Sequence, residues 1–326
     1  MPKITIVGAG MAGLLAANML KKHDPRIIEA AASLPNNHSA VLRFRSSVVS
    51  DTLGIPFERV KVAKGSVRWK STIADSMAYS RKTNGVYRSD RSITTTSNEL
   101  SDRYIAPPNL IAQMAQGLKI EFKKKFKKPS EKSGAVISTI PMPALMDILG
   151  YRYKPFFNTV HGFNISATLE NTYAHFSIYV PHPEIGFNRI SITGDKLIIE
   201  YSYPLLGFED VKEFYEGTAK DEIFLKGQVR LALEMCGIDK SISNSLREKP
   251  KAKMQQYSKI LPIDENERKA FIAWASEFHN VYSLGRYAVW KPGLLLDDLV
   301  KDIRMIERFI NDHSKYSQRK HWHSEK

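Results

Sequence analysis

The strongest constraint in the chain is its opening thirty residues. Lys3-Ile4-Thr5-Ile6-Val7 is a nearly continuous apolar run, the pattern of a parallel strand covered on both faces. It runs directly into Gly8-Ala9-Gly10-Met11-Ala12-Gly13, a complete G-x-G-x-x-G, and then into a helical stretch over Leu14–Lys22. Each glycine has its own task. Gly8 permits the tight turn out of the strand, Gly10 lets backbone approach a pyrophosphate, and Gly13 allows close packing of helix on sheet. The helix start offers free N–H groups and the positive end of its dipole to phosphate. A second strand, Arg26-Ile27-Ile28, ends on Glu29, roughly 20 residues beyond Gly8, where a carboxylate accepts hydrogen bonds from ribose hydroxyls. Strand, glycines, helix, strand and acid in this order specify a dinucleotide. They leave FAD and NAD both open.

The rest of the chain is compatible with a large α/β protein. At 326 residues, 43% hydrophobic and 25% charged, it suits one large domain or two ordinary ones. No apolar run reaches the roughly 18–20 residues of a membrane span, and no leader segment is expected ahead of the first strand. The single cysteine, Cys236, excludes an internal disulfide and a cysteine-based metal site, so a reducing, cytoplasmic setting is expected. The formal net charge of +14 favours anionic partners, whether phosphorylated metabolites, acidic lipids or nucleic acid. The densest charge, Glu121 to Lys128, reads as the solvated face of a hairpin; a phosphate-backbone contact is the alternative. Nothing bears on oligomeric state.

Three later segments resemble the FAD-binding fold shared by amine oxidases, protoporphyrinogen oxidase and UDP-galactopyranose mutase. Gly134-Ala135-Val136-Ile137-Ser138-Thr139-Ile140-Pro141 is similar to the strand that returns to the nucleotide-binding sheet and ends at a proline near the cofactor. Ala174–Ser202, with Tyr179-Val180-Pro181 and Gly186-Phe187-Asn188-Arg189, resembles part of the substrate domain in mutase-like members. Asn280 to Tyr287, containing Gly285-Arg286 and followed by Trp290 and a helix over Leu294–Asn311, resembles the C-terminal flavin motif. One departure stands out: the chain after Glu29 lacks the glycine pair and arginine of those families, leaving Arg43 or Arg45 to take the arginine's role.

The resemblance implies an α/β fold: a Rossmann-like FAD-binding domain, mostly parallel sheet with helices, plus an inserted antiparallel β-rich substrate domain. The expected division is 1–45, 99–150 and 260–312 for FAD, 46–98 and 151–259 for substrate, and a frayed basic tail over 313–326. FAD would be held by Gly8, Gly10, Met11, Ala12, Gly13, Glu29, Arg45, Pro141, Gly285, Arg286, Leu295 and Leu296. The last helix would turn its N-terminus toward the pyrimidine end of the flavin, stabilising negative charge on the reduced ring. Arg43, Arg189, Tyr257 and Trp290 are the expected catalytic residues. Arginines there would grip a carboxylate or phosphate in bidentate fashion, and the aromatic rings would wall a substrate amine. Asn188, Tyr203 and Lys291 are further candidates.

The function this implies is amine-oxidase-like oxidation or cleavage of a C–N or C–C bond in an anionic or amine-bearing small molecule. Two alternatives stay open: redox-neutral flavin chemistry as in the mutase, and tailoring of an amino-acid-like group on a nucleobase in DNA or RNA. No second G-x-G-x-x-G is present for a pyridine nucleotide. Locally, Asn84-Gly85 suggests a hairpin, Leu110–Gly117 a helix, and Asp264 with Glu267 a capping box. A helix over Glu209–Leu233 is expected to weaken at Gly217 and Gly227.

Overall fold

A computed structural model describes residues 3–35, 42–89, 100–130, 133–239, 241–242 and 246–324, apart from the side chains of 256, 257 and 313–324. The chain starts with β1 (Ile4–Val7), α1 (Met11–Met19) and β2 (Arg26–Ile28). It then leaves that layer through β3 (Arg43–Phe44), α2 (Val48–Leu53), β4 (Glu58–Ser66), α3 (Thr72–Asn84) and β5 (Ser101–Ile105). It returns by α4 (Leu110–Ala115), β6 (Ile120–Glu121), β7 (Ala135–Ser138) and α5 (Met142–Leu149). The strands β8 (Thr159–Leu169), β9 (Ala174–Tyr179), β10 (Arg189–Gly194) and β11 (Lys196–Glu200) follow. After them come α6 (Phe208–Phe214), a π-helical turn over Tyr215–Ala219, and α7 (Glu222–Met235). The chain finishes with β12 (Leu246–Ile260), α8 (Glu265–His279), β13 (Val281–Ser283) and α9 (Leu296–Ser324).

Five strands, in the order β13-β7-β1-β2-β6, form an all-parallel sheet. Alternation along β1 splits its side chains between two cores. Ile4 and Ile6 pack with Leu14 and Leu15 of α1 and with Val300 and Ile303 of α9. Val7 packs on the opposite face with Leu145 of α5 and with Phe271 and Ala275 of α8. This is the doubly wound, Rossmann-like layer expected from the opening motif.

The second sheet has eight strands in the order β12-β8-β11-β10-β9-β4-β5-β3, antiparallel except where β4 runs parallel to β9. Its register sorts the side chains by face. Ile165, Ile199, Ile190 and Ile178 lie opposite one another across four strands. That face carries the core with Leu225, Val229 and Leu233 of α7. The next row, Asn164, Glu200, Arg189 and Tyr179, points to the other side. The sheet is therefore apolar toward α7 and carries this polar row on its opposite face.

Several local expectations are corrected. Asn84-Gly85 ends a helix, not a hairpin: Ser71 caps α3 by accepting from Ala74 N, and Gly85 terminates it in the left-handed region at φ +80°. Arg43–Phe44 and Ser101–Ile105, grouped by sequence with the nucleotide-binding segments, pair instead as β3 and β5 in the second sheet. The helix after the glycine loop spans Met11–Met19, beginning and ending three residues earlier than expected, and α9 continues to Ser324 where a frayed tail was expected. Gly217 sits in the π-turn, whereas α7 runs unbroken through Gly227. The lysine run does not fold as a hairpin. β6 is a two-residue edge strand parallel to β2, after which Lys123 N and Lys124 N donate to Ala31 O and Glu29 O. Asp264 caps α8 as expected, accepting from Asn266 N and Glu267 N. Among the described residues no helix is long and apolar enough to cross a membrane, and no cluster of His, Cys, Asp or Glu could hold a metal.

Candidate functional site

The glycine loop has little freedom. Gly8 adopts φ +98°, and a Cβ there would strike Thr139 Oγ1, whose hydroxyl donates to Val7 O at 2.8 Å. A Cβ on Gly13 would collide with the Gly8 carbonyl, so the helix can seat on the strand only because Gly13 has none. Gly10 is different: a Cβ there meets nothing within 4 Å. The space above it is open. Gly10 is the N-cap of α1 with no side-chain cap, and the first turn carries no acid, so the helix end keeps its free donors and positive potential. Glu29 closes the unit from below. Its Oε2 accepts from Ala9 N at 2.7 Å and its Oε1 from Ala31 N at 2.8 Å, leaving further lone pairs for ribose hydroxyls.

Above the loop lies a cavity of about 510 Å³ lined by segments from both ends of the chain. Gly10, Met11 and Ala12 form one wall; Gly285, Arg286, Leu295 and Leu296 form another; Arg43 and Thr139 complete it. The two walls touch where Gly285, at φ +99°, would bring a Cβ to 3.2 Å of Ala12 Cβ. Arg286 Nε donates to Leu294 O at 3.0 Å, which fixes the turn into α9. Leu295 N donates to Asp298 Oδ2 at 2.9 Å, and Ser46 donates through N and Oγ to Asp297 Oδ1 at 3.0 and 2.9 Å. The other Asp297 carboxylate oxygen is buried without a partner among the described residues, on a residue that lines the cavity. A hydroxyl-bearing ligand would satisfy it.

The structure therefore brings together Gly10, Met11, Ala12, Arg43, Gly285, Arg286, Leu295 and Leu296 in one cavity, over the scaffold of Gly8, Gly13 and Glu29. Arg45 and Pro141 are exposed and do not line it; Thr139, two residues before Pro141, does. Trp290 is a core residue. Its indole N–H donates to Leu261 O at 3.0 Å and its ring lies edge-on to Phe157, with the side chain 3% exposed. The Tyr257 side chain lies outside the described residues. Lys291 borders a separate groove between α8 and α9.

Arg189 belongs to the polar face of the second sheet, where it pairs in bidentate fashion with Glu200 on the adjacent strand. Burial pushes the Glu200 carboxyl up, but the Arg189 guanidinium outweighs it and holds the acid below the usual range. Glu200 in turn raises Arg189. Arg43 links the two sheets' surroundings: it lines the cavity above the glycine loop and donates to Ser177 Oγ at 2.7 Å and Phe176 O at 3.3 Å on β9. Burial, then the nearby Arg189 charge, lowers its guanidinium to about 10. Lys64 is also lowered, by burial and by the charges of Arg103, Arg45 and Arg43. Tyr79 of α3 faces the same ground, its ring 5.4 Å from that of Tyr179, its hydroxyl bonded to Asn188, and its pKa pushed up to about 12 by burial. Cations outnumber acids here. Glu200, Tyr79, Ser177 and Thr139 were not singled out from sequence; only the strand register and the tertiary packing reveal them.

No family model and no curated protein matches this sequence. Solved structures do match its shape. A reduced UDP-galactopyranose mutase superimposes with a TM-score of 0.63 at 13% identity, covering 95% of this chain and 96% of that one. A point mutant of 2-methyl-3-hydroxypyridine-5-carboxylic acid oxygenase gives 0.53 at 14% identity, covering 88% and 76%. A flavoprotein/dehydrogenase from Cytophaga hutchinsonii gives 0.52 at 11%, covering 95% and 79%. The chain shares the fold of FAD-binding flavoproteins.

Proposed function

We propose that this protein is an FAD-dependent oxidoreductase acting on a small anionic molecule held against the polar face of its second sheet. One observation carries the reading: a single cavity is lined by the dinucleotide loop, Gly10 to Ala12, and by Gly285 to Leu296 from the far end of the chain. The residues fit the cofactor. The open space over Gly10 and the uncapped start of α1 suit a pyrophosphate. Glu29 suits a ribose, and the unpartnered Asp297 oxygen suits a polyhydroxylated chain. Leu296 opens α9 directly after Leu295 and would turn the start of that helix toward the pyrimidine edge of the ring, its positive end offset in part by Asp297 and Asp298 in the first turn. In this reading segments 1–45, 99–150 and 260–312 hold the cofactor, with β3 and β5 reaching across to the substrate sheet.

Bound there, a flavin supplies reversible acceptance of two electrons from a C–N or C–C bond. The chain supplies position and charge. Arg43 and Arg189 form the anion grip, with Glu200 keeping the Arg189 fork aligned and Ser177 keeping Arg43 between the two domains. Tyr79, kept protonated by burial, offers a hydroxyl donor or acceptor on the far side of that grip.

The test is the absorption spectrum of purified protein, followed by anaerobic addition of amines and carboxylates. A bound flavin chromophore that bleaches with one class of anionic substrate supports the proposal. A colourless protein that takes up no added FAD refutes it. Turnover that starts only after chemical reduction, with no net electron transfer, replaces oxidation by the redox-neutral chemistry.

A further inference from the structure

A second cavity of about 660 Å³ lies against α3, apart from the flavin cavity, with which it shares no lining residue. One helix face forms its floor: Ala74, Met77, Ala78, Arg81 and Lys82, spaced as neighbours on a helical stripe. Tyr79, which faces the proposed substrate ground, projects from another side of the same helix. The opposite wall is the loop from Ser202 to Leu206, and Trp69 and Tyr87 stand at its ends. Four of the large apolar side chains the protein leaves in water converge on this one place: Met77, Tyr87, Leu205 and Leu206, at 37%, 65%, 62% and 46% exposure. Isolated exposed apolar residues need no explanation; a cluster of them around a concavity marks a binding surface.

The polar groups say what kind of ligand would suit it. Lys82 Nζ donates to two neutral acceptors, Val180 O at 3.1 Å and His182 O at 2.9 Å. Arg81 bonds the Gly85 carbonyl and lies 5.4 Å over the Tyr87 ring. Both cations retain unused donors, and no carboxylate stands among the described residues that line the cavity. Burial accordingly lowers the Lys82 ammonium to about 7. Two uncompensated cations beside an indole, two phenols and three aliphatic side chains complement a flat apolar body that carries a negative charge.

We propose that this cavity is a binding site for a planar aromatic anion, its ring system among Trp69, Tyr87 and Tyr203 and its charge toward Arg81 and Lys82. The site does not rest on the flavin reading: of its residues only Tyr203 was a candidate there from sequence, and the structure places it on this cavity instead of the one above the glycine loop.

The test uses the full-length protein, with anilinonaphthalene sulfonate as the anionic probe and phenylnaphthylamine as its uncharged counterpart. Fluorescence titration should show one sulfonate bound per chain, with the uncharged compound about tenfold weaker. Lys82→Met and Arg81→Met should each weaken sulfonate binding by about fivefold or more. Ala78→Trp, which fills the floor, should abolish it with circular dichroism unchanged. Leu206→Glu, a change on an exposed loop residue that leaves the fold untouched, should weaken it by about tenfold through like-charge repulsion. Equal binding of the charged and uncharged probes overturns the assignment of ligand charge. Unchanged binding to Leu206→Glu, or to folded Ala78→Trp, overturns the assignment of place.

Discussion

Gly10 and Gly13 belong to one motif, yet the structure gives them opposite surroundings, one open and one closed, and two substitutions separate the proposed binding role from the packing role. At Gly13 an added methyl would sit inside the van der Waals envelope of the Gly8 carbonyl oxygen, 3.0 Å from its carbon and 3.5 Å from Ile6 Cγ2. Gly8 cannot give way cheaply, because its N–H is bonded to Ile28 O at 2.9 Å and its φ is +98°. Helix α1 must therefore move off β1. Overpacking of this kind costs about 1–3 kcal/mol, against up to about 1 kcal/mol gained from alanine's helix propensity. The net loss for Gly13→Ala is about 1–2 kcal/mol, a fall of roughly 2–6 °C in melting temperature for a chain of this size. At Gly10 the added atoms meet open space, and the backbone at φ −77°, ψ 179° is one any residue adopts. Gly10→Ser adds a better N-cap, so the flavin-free protein should melt at the same temperature or slightly higher. Yet the side chain occupies the place proposed for the pyrophosphate, and FAD affinity should fall by about 100-fold, roughly 2.7 kcal/mol. Thermal melts of flavin-stripped protein and FAD titrations by fluorescence quenching read both quantities. FAD binding by Gly10→Ser equal to that of the parent would refute the cradle, and an unshifted melt for Gly13→Ala would refute the packing argument.

Three further outcomes follow from side-chain environments. Glu200→Gln should destabilise by roughly 1–3 kcal/mol, because it leaves Arg189 uncompensated near Arg43 in a partly open pair; the double variant Arg189→Met with Glu200→Gln should recover part of that loss in denaturant melts. Lys82 is held by burial at about 7, whereas an unfolded lysine titrates near about 10.4, so the unfolded chain binds more protons between these values and stability rises with pH across that window. Melts at about pH 7 and about pH 9.5 should show that rise reduced in Lys82→Met, and an identical pH dependence would count against the buried ammonium. Cys236, whose thiol burial pushes up to about 12, should resist disulfide reagents at neutral pH in the folded protein and react at once in denaturant.

What the sequence discloses depends on how far apart the interacting residues lie. The glycine loop, Glu29 and the strands beside them are local, and their arrangement follows from spacing alone. Gly285-Arg286 and the helix after it could be placed near the glycine loop only through resemblance, and the structure puts Gly285, Arg286, Leu295 and Leu296 on the same cavity as Gly10, Met11 and Ala12. Trp290 shows the limit of that approach: an aromatic residue near a flavin motif has the same sequence appearance whether it faces the cofactor or fills the core against Phe157. Asn84-Gly85 misleads for a related reason, since a glycine in the left-handed region serves a helix end as readily as a hairpin. The polar tail over 313–324 is helical although its composition gives no apolar stripe to require it. The proposed substrate ground was the least legible part. Alternation along β8 to β11 announces a sheet with one polar face, but it cannot say what that face meets. Arg189 and Glu200 find each other through register, eleven residues apart in sequence and opposite one another in space. Arg43 reaches Ser177 across 134 residues of chain, and the same side chain lines the cavity beside the opening glycines, so one residue links the polar face to that cavity.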